Sequence, residues 1–240
     1  LEARLAALAA EADQAVGGDI QASEALARSA RICYSTVDRD EKPRSLCHWP
    51  LEFPEVYDGE RTGFDAVIGN PPYLNAVAIS STTAGTELKR YYKSVYRSAS
   101  GAYDLYVLFV ERGTELCSSQ GRLGVVIPNK VLSAEYAEPL RQFLISEADI
   151  DFILDYSKVR VFTASVYPIV LGARIAKSNT KARIVSVPEG TTRGVSQDAF
   201  RNAPSLLWAY LLTDFAELIE DTLSGAVPLS DHVQVTGAAT

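Results

Sequence analysis

Asn70, Pro71, Pro72 and Tyr73 stand side by side in the run Phe64-Asp-Ala-Val-Ile-Gly-Asn-Pro-Pro-Tyr-Leu-Asn75. The two prolines fix two backbone φ angles and remove two N–H donors, which leaves a stiff turn with carbonyls free to accept hydrogen bonds. Such a turn suits a planar amino group. The Asn70 side-chain oxygen and the Pro71 carbonyl can accept the two hydrogens of an exocyclic NH2, while the Tyr73 ring stacks on the base that carries it. The same four residues could also be a proline-rich turn with a surface tyrosine, so their setting has to decide.

The elements around the turn follow from pattern. Phe64 to Ile68 is an apolar run of strand formers that Gly69-Asn70-Pro71-Pro72 stops abruptly, so a strand empties into the turn. Residues 74–102 are polar and then basic and aromatic, and are expected to form a long substrate-facing loop. A helix over residues 104–117 carries an apolar stripe at Leu105, Leu108, Phe109 and Leu116, and a buried strand over residues 121–128 ends at Pro128. A helix over 134–147 and strands over 150–156, 166–176 and 182–187 continue the alternation, which implies an open α/β sheet with its active loops at the carboxyl ends of the strands. Residues 190–203 read as a loop, and residues 206–223 have helical period. Before the strand, leucines at positions 1, 5 and 8 among alanines predict a helix over 1–15, Gly17-Gly18 ends it, a second helix covers about 20–33, and 35–45 is a polar loop.

In this setting Asn70-Pro71-Pro72-Tyr73 resembles the catalytic motif of S-adenosylmethionine-dependent amino-methyltransferases, above all the DNA adenine-N6 methyltransferases. His48-Trp-Pro-Leu-Glu-Phe-Pro-Glu-Val-Tyr57 resembles the segment before this motif in the methylase part of large fused type II restriction-modification enzymes. Gly101-Ala-Tyr-Asp-Leu-Tyr-Val-Leu-Phe-Val-Glu111 looks like the helix after the turn, Gly124 to Leu132 like the next strand and turn, and Asp155 to Phe162 like the strand and loop that follow. The resemblance covers roughly residues 46–187, and the order of the motifs makes it far more specific than the turn alone.

The resemblance implies a Rossmann-like methyltransferase sheet, the C-terminal half of the catalytic domain, preceded by a helical segment. Residues 1–45 would be a helical insertion or linker, 46–190 the catalytic half, and 191–240 a linker helix and the start of a target-recognition region. It implies S-adenosylmethionine as cofactor, with Asn70, Pro72 and Phe109 at its site, and double-stranded DNA as substrate. The target adenine would leave the duplex and stack between Tyr73 and Phe162. Asn70 and Pro71 would accept both N6 hydrogens, favouring a pyramidal nitrogen whose lone pair faces the methyl, so catalysis is mainly positioning and electrostatic complementarity. The family's Gly-rich cofactor loop has no match in residues 1–69, so the chain alone is expected to be inactive. The same turn occurs in enzymes that methylate RNA or a protein glutamine, and a catalytically inert DNA-binding relative is a third reading.

Composition narrows the remainder. The 240 residues are 47% hydrophobic, enough for a substantial core. No apolar stretch is long enough to span a membrane and no signal-peptide pattern opens the chain, so a cytoplasmic protein is expected. Cys33, Cys47 and Cys117 lack metal-ligand spacing and read as reduced packing residues. Of the net charge of −7, residues 1–60 carry nearly all. Beyond them Lys89, Arg90, Lys93 and Arg97, opposed by Glu87 and interleaved with Tyr91, Tyr92 and Tyr96, suit phosphate contact and base stacking; a solvated helix face would look the same. Asp65 with Glu87-Leu88-Lys89 is a faint nuclease-like pattern that Asp65's place in the strand disfavours. Leu1 and the absence of methionine suggest a piece of a longer polypeptide.

Overall fold

A computed structural model describes residues 21, 24, 49–57, 63–79, 83–161, 167–203, 206–224 and 226–227. The chain divides into two compact units, residues 1–60 and 61–240. In the first, two short helices, α1 (Trp49–Glu52) and α2 (Pro54–Tyr57), are joined at Phe53, whose ring stacks on Trp49 at 5.7 Å. The helices predicted over 1–15 and 20–33 lie outside the described residues except for Gln21 and Glu24, which are helical.

Among the described residues the second unit holds a six-stranded mixed sheet of the Rossmann-like α/β class. Its strands are β1 (Phe64–Gly69), β2 (Cys117–Pro128), β3 (Asp149–Asp155), β4 (Pro168–Arg174), β5 (Ala182–Ser186) and β6 (Thr191–Val195), in the spatial order β1-β2-β4-β3-β5-β6. β1 runs parallel to β2 and β3 parallel to β5, while β4 and β6 are antiparallel to their neighbours. The helices are α3 (Ala76–Ile79), α4 (Thr83–Val95), α5 (Tyr106–Leu116), α6 (Glu138–Glu147), α7 (Gln197–Arg201) and α8 (Ala216–Ser224).

Alternation sorts the strands' side chains onto two faces. Leu123, Val125 and Ile127 of β2 pair with Ala173, Leu171 and Ile169 of β4, and all six are buried. Ile153 and Ile184 continue the Val125–Leu171 row across β3 and β5. α5 packs on this face, and Gly113 permits the approach: a Cβ there would lie 2.9 Å from Leu123 Cδ1. On the other face Ile68, Gly124, Gly172 and Phe152 stand in register, with the Phe152 ring covering the place a Gly172 side chain would need.

Four sequence expectations need correction. Residues 83–95, read as loop, form the helix α4; its buried side is supplied by Tyr92, with Tyr96 just beyond its end, and tyrosines mark a helix face weakly. Residues 190–203, also read as loop, contain β6 and α7, because pairing with β5 and the Ser196 N-cap override a polar local sequence. The helix expected over 206–223 is interrupted: a 3-10 turn covers Ala209–Leu212 and α8 begins only at Ala216. β2 also starts earlier than its apolar run, at Cys117, which pairs with Phe64.

Candidate active site

β1 delivers the turn to the carboxyl end of the strand at the edge of the described sheet. Ile68 is 85% exposed, Asn70 and Pro72 are exposed, Pro71 is buried and Tyr73 is partly buried. The Tyr73 hydroxyl lies 3.0 Å from Asn70 Oδ1 and 3.0 Å from the Val126 carbonyl. One proton therefore serves either of two acceptors, and burial, which raises the Tyr73 pKa, keeps that proton in place at neutral pH. The Tyr73 ring meets Tyr106 edge-on, with centroids 6.4 Å apart.

The turn is tied down on its far side. Leu105 N donates to Leu74 O at 2.7 Å and Ala76 N to Tyr103 O at 2.9 Å, making an antiparallel bridge between Asn75 and Asp104. The Asn75 side chain adds bonds to Ala102 O and Asp104 Oδ1, and its own Oδ1 accepts from Val77 N to start α3. None of these partners was singled out from sequence. The only local signal was the Tyr-Asp-Leu-Tyr run at 103–106, which reads as the start of an amphipathic helix.

The other predicted residues are placed as follows. Phe109 sits on α5, the helix that carries Tyr106, and is 52% exposed. Phe162 lies outside the described residues. Lys89, Arg90 and Lys93 belong to α4 and Arg97 follows it; Arg90 pairs with Glu87, and Arg97 pairs with Glu147 and lies over the Phe143 ring, neither with a residue of the turn. Glu111, 1% exposed on α5, anchors the end of this basic segment by accepting from Arg97 N and Ser98 N at 2.9 and 2.8 Å.

Open space adjoins the strand end, since a Cβ on Gly69 would meet nothing within 4 Å. Asn70 and Pro72 are exposed at this end, and the Phe109 ring on α5 is half exposed. The sequence of residues 1–69 offers no Gly-rich cofactor loop. Among the described residues no cluster of His, Cys, Asp and Glu could hold a metal ion, and no helix is long and apolar enough to cross a membrane.

The chain thus has a Rossmann-like sheet whose β1 strand ends in Asn-Pro-Pro-Tyr, with an exposed asparagine and a tyrosine bonded to it. Residues 18–162 match the Eco57I restriction-modification methylase family, and the chain belongs to that family. Similar proteins include the type II methyltransferase M.BstVI of Geobacillus stearothermophilus, 32% identical over 143 residues, which are 58% of this chain and 24% of that protein. The type II restriction enzyme and methyltransferase RM.Eco57I of Escherichia coli is 27% identical over 155 residues, 65% of this chain and 15% of its own length. Among solved structures, the type IIG restriction endonuclease BpuSI matches with a TM-score of 0.49 and 16% identity, over 68% of this chain and 22% of that one. The chain thus spans a quarter or less of the length of these relatives.

Proposed function

We propose that residues 46–190 are the catalytic half of a DNA adenine-N6 methyltransferase that acts in a restriction-modification or phage-defence system, with 1–45 as a helical insertion or linker and 191–240 as a linker helix and the start of a target-recognition region. The observation that carries this reading is the placement of Asn70 Oδ1, exposed at the strand end and 3.0 Å from the Tyr73 hydroxyl. S-adenosylmethionine, held in part by Asn70, Pro72 and Phe109 and in part by the remainder of the parent polypeptide, supplies an electrophilic methyl group.

The chain's own residues handle the amine. Tyr73 can give its proton to the Val126 carbonyl instead of to Asn70, both at 3.0 Å, which frees Asn70 Oδ1 to accept one N6 hydrogen while the Pro71 carbonyl accepts the other. Both acceptors favour the pyramidal nitrogen over the flat, conjugated one, so they bind the reacting amine better than the resting one. The exposed part of the Tyr73 ring and Phe162 stack on the extruded base, worth roughly 1–3 kcal/mol against the cost of unstacking it. No general base of shifted pKa is needed, because the amine loses its proton after transfer. Lys89, Arg90, Lys93 and Arg97 would contact the DNA backbone.

The test is methyl transfer by the full-length polypeptide from labelled S-adenosylmethionine, with DNA, RNA and protein offered in parallel. N6-methyladenine in digested DNA is expected, and Asn70→Ala should lower kcat on the order of 10²- to 10³-fold with DNA binding kept. Label in RNA or protein would overturn the substrate, and an Asn70→Ala variant at wild-type rate would remove Asn70 from the chemistry.

A further inference from the structure

We propose that Asp104 is a positioning residue for methyl transfer: with Asn75, Tyr136 and Tyr106 it closes a clasp that fixes the Asn-Pro-Pro-Tyr turn on its sheet edge. The proposal rests on the reading of that turn as the methyl-transfer site, and it assigns a role to residues that never touch the substrate.

The clasp is a closed circuit of contacts. Asp104 Oδ1 accepts from Asn75 Nδ2 at 3.0 Å, and Oδ2 accepts from the Tyr136 hydroxyl at 2.8 Å. With its proton given to Asp104, Tyr136 can only accept from Tyr106, whose hydroxyl is 3.1 Å away. Tyr106 is fully buried, and its ring sets the edge against which Tyr73 rests; Tyr73 in turn reaches Asn70. The turn is therefore held at its start through Tyr73 and at its end through Asn75, and both paths meet at one carboxylate. Burial holds both phenols protonated, with Tyr136 pushed up to about 12, so the donors stay donors.

The Tyr136 side of the clasp has its own support. Arg141, wholly buried on α6, donates through one terminal nitrogen to Val131 O at 2.7 Å and to Ala134 O at 3.0 Å. Val131 lies in the 3-10 turn Asn129–Leu132, and Ala134 is the N-cap of the next one, Glu135–Ala137, which presents Tyr136. Asp104 thus joins three separate segments, the turn, the start of α5 and the approach to α6. An error of about 1 Å at a reacting centre can cost on the order of 10²-fold in rate, so a group that sets the turn's position need not touch the base to matter.

The geometry also chooses the test. Asn75 Nδ2 and Tyr136 OH both donate to the carboxylate, so Asp104→Asn keeps its one oxygen for Asn75 and turns its NH2 on Tyr136, whose hydroxyl must then accept and give its proton to Tyr106, leaving the Tyr106 proton without its acceptor. Tyr136→Phe removes one link and leaves the Tyr106 hydroxyl without its acceptor. In the full-length enzyme, kcat is expected to fall roughly 10- to 10²-fold in Asp104→Asn, less in Tyr136→Phe, with KM for DNA and for S-adenosylmethionine within about twofold of wild type. The double variant should be little worse than Asp104→Asn alone, because the two act in one circuit. Hydrogen exchange supplies a reading independent of activity: in Asp104→Asn the amides of Ala76 and Val77 should exchange faster while those of β4 do not. A wild-type kcat in Asp104→Asn, additive losses in the double variant, or unchanged exchange at Ala76 and Val77 would each overturn the clasp. If the wild-type enzyme transfers methyl to no substrate, the methyl-transfer reading fails, and the exchange result alone decides whether Asp104 holds the turn.

Discussion

At the β6 end of the sheet, buried Gln197 is matched atom for atom: its oxygen accepts from Ile150 N at 2.9 Å, and its nitrogen donates to Ile150 O at 2.7 Å and to Thr180 O at 2.8 Å. At the β1 end, the single proton of Tyr73 is divided between two acceptors, and Asn70 stands exposed beside it. The contrast extends to the charges. Asp149, 2% exposed, accepts from Ser178 N, Asn179 N and Arg201, whereas Arg90 and Glu87 on α4 form their pair in water. Fully matched buried groups hold one conformation, since breaking any bond strands its partner in a low dielectric. Groups with spare or shared capacity are the ones a ligand can engage. One end of this sheet is built to stay as it is, and the other to exchange partners.

The largest effect that sharpens this contrast falls on the structural end. Trp208 is wholly buried, with its Nε1–H donating to Phe200 O at 3.0 Å, its ring edge-on to Phe200 at 5.2 Å, and its backbone N–H donating to Leu132 O. Trp208→Ala removes that packing and leaves a cavity, so a loss of about 3–5 kcal/mol is expected in urea unfolding of the full-length polypeptide. A loss below about 1 kcal/mol would mean that this end is less tightly built than its contacts indicate.

Cys117 tests the packing of the β1 end on the side away from the turn, since it opens β2 opposite Phe64 at the start of β1. Its thiol is buried, donates to Gly113 O at 3.2 Å, and is pushed by burial up to about 11. A folded-state pKa above the unfolded one means the native state holds the proton longer. The associated stability is complete below the ordinary thiol pKa and is lost as pH rises from about 9 to about 11. The expected fall is about 1–3 kcal/mol over that range, read as the difference in pH slope between wild type and Cys117→Ala. Equal slopes would show that the thiol titrates freely and that the β1–β2 junction is open to water.

Much of the framework was legible because local pattern and tertiary environment agree. The apolar run stopped by Gly-Asn-Pro-Pro, the stripe of α5 and the buried run of β2 that ends at Pro128 each announce their element. β6 and α7 were not, because Thr191-Thr-Arg-Gly-Val195 has no strand pattern of its own and becomes one only by pairing with β5. α4 was hidden for another reason: the ring it packs against the core is that of Tyr92, and a tyrosine reads equally well as a surface for stacking bases. The turn could be singled out from four residues together with the order of the motifs around them, but the clasp could not, since Asp104 and Tyr136 meet across 32 positions. Hydrogen-bond partners that distant leave no periodic trace.

The smallest stability effect belongs to the exposed end. Arg90 pairs with Glu87 one helical turn away at 3.0 Å, with the two side chains 73% and 64% exposed. Water and salt screen such a pair, and holding two long side chains costs entropy, so Arg90→Ala should change unfolding stability by less than about 0.5 kcal/mol. Its effect should appear in binding. If α4 lies against phosphates as proposed, removing one cation should weaken DNA binding to all sequences alike and reduce the slope of log K against log salt by about one. A measurable loss of stability with an unchanged salt slope would reverse the assignment: α4 would then belong with the β6 end, as a part of the scaffold, and the DNA would have to be met by another surface.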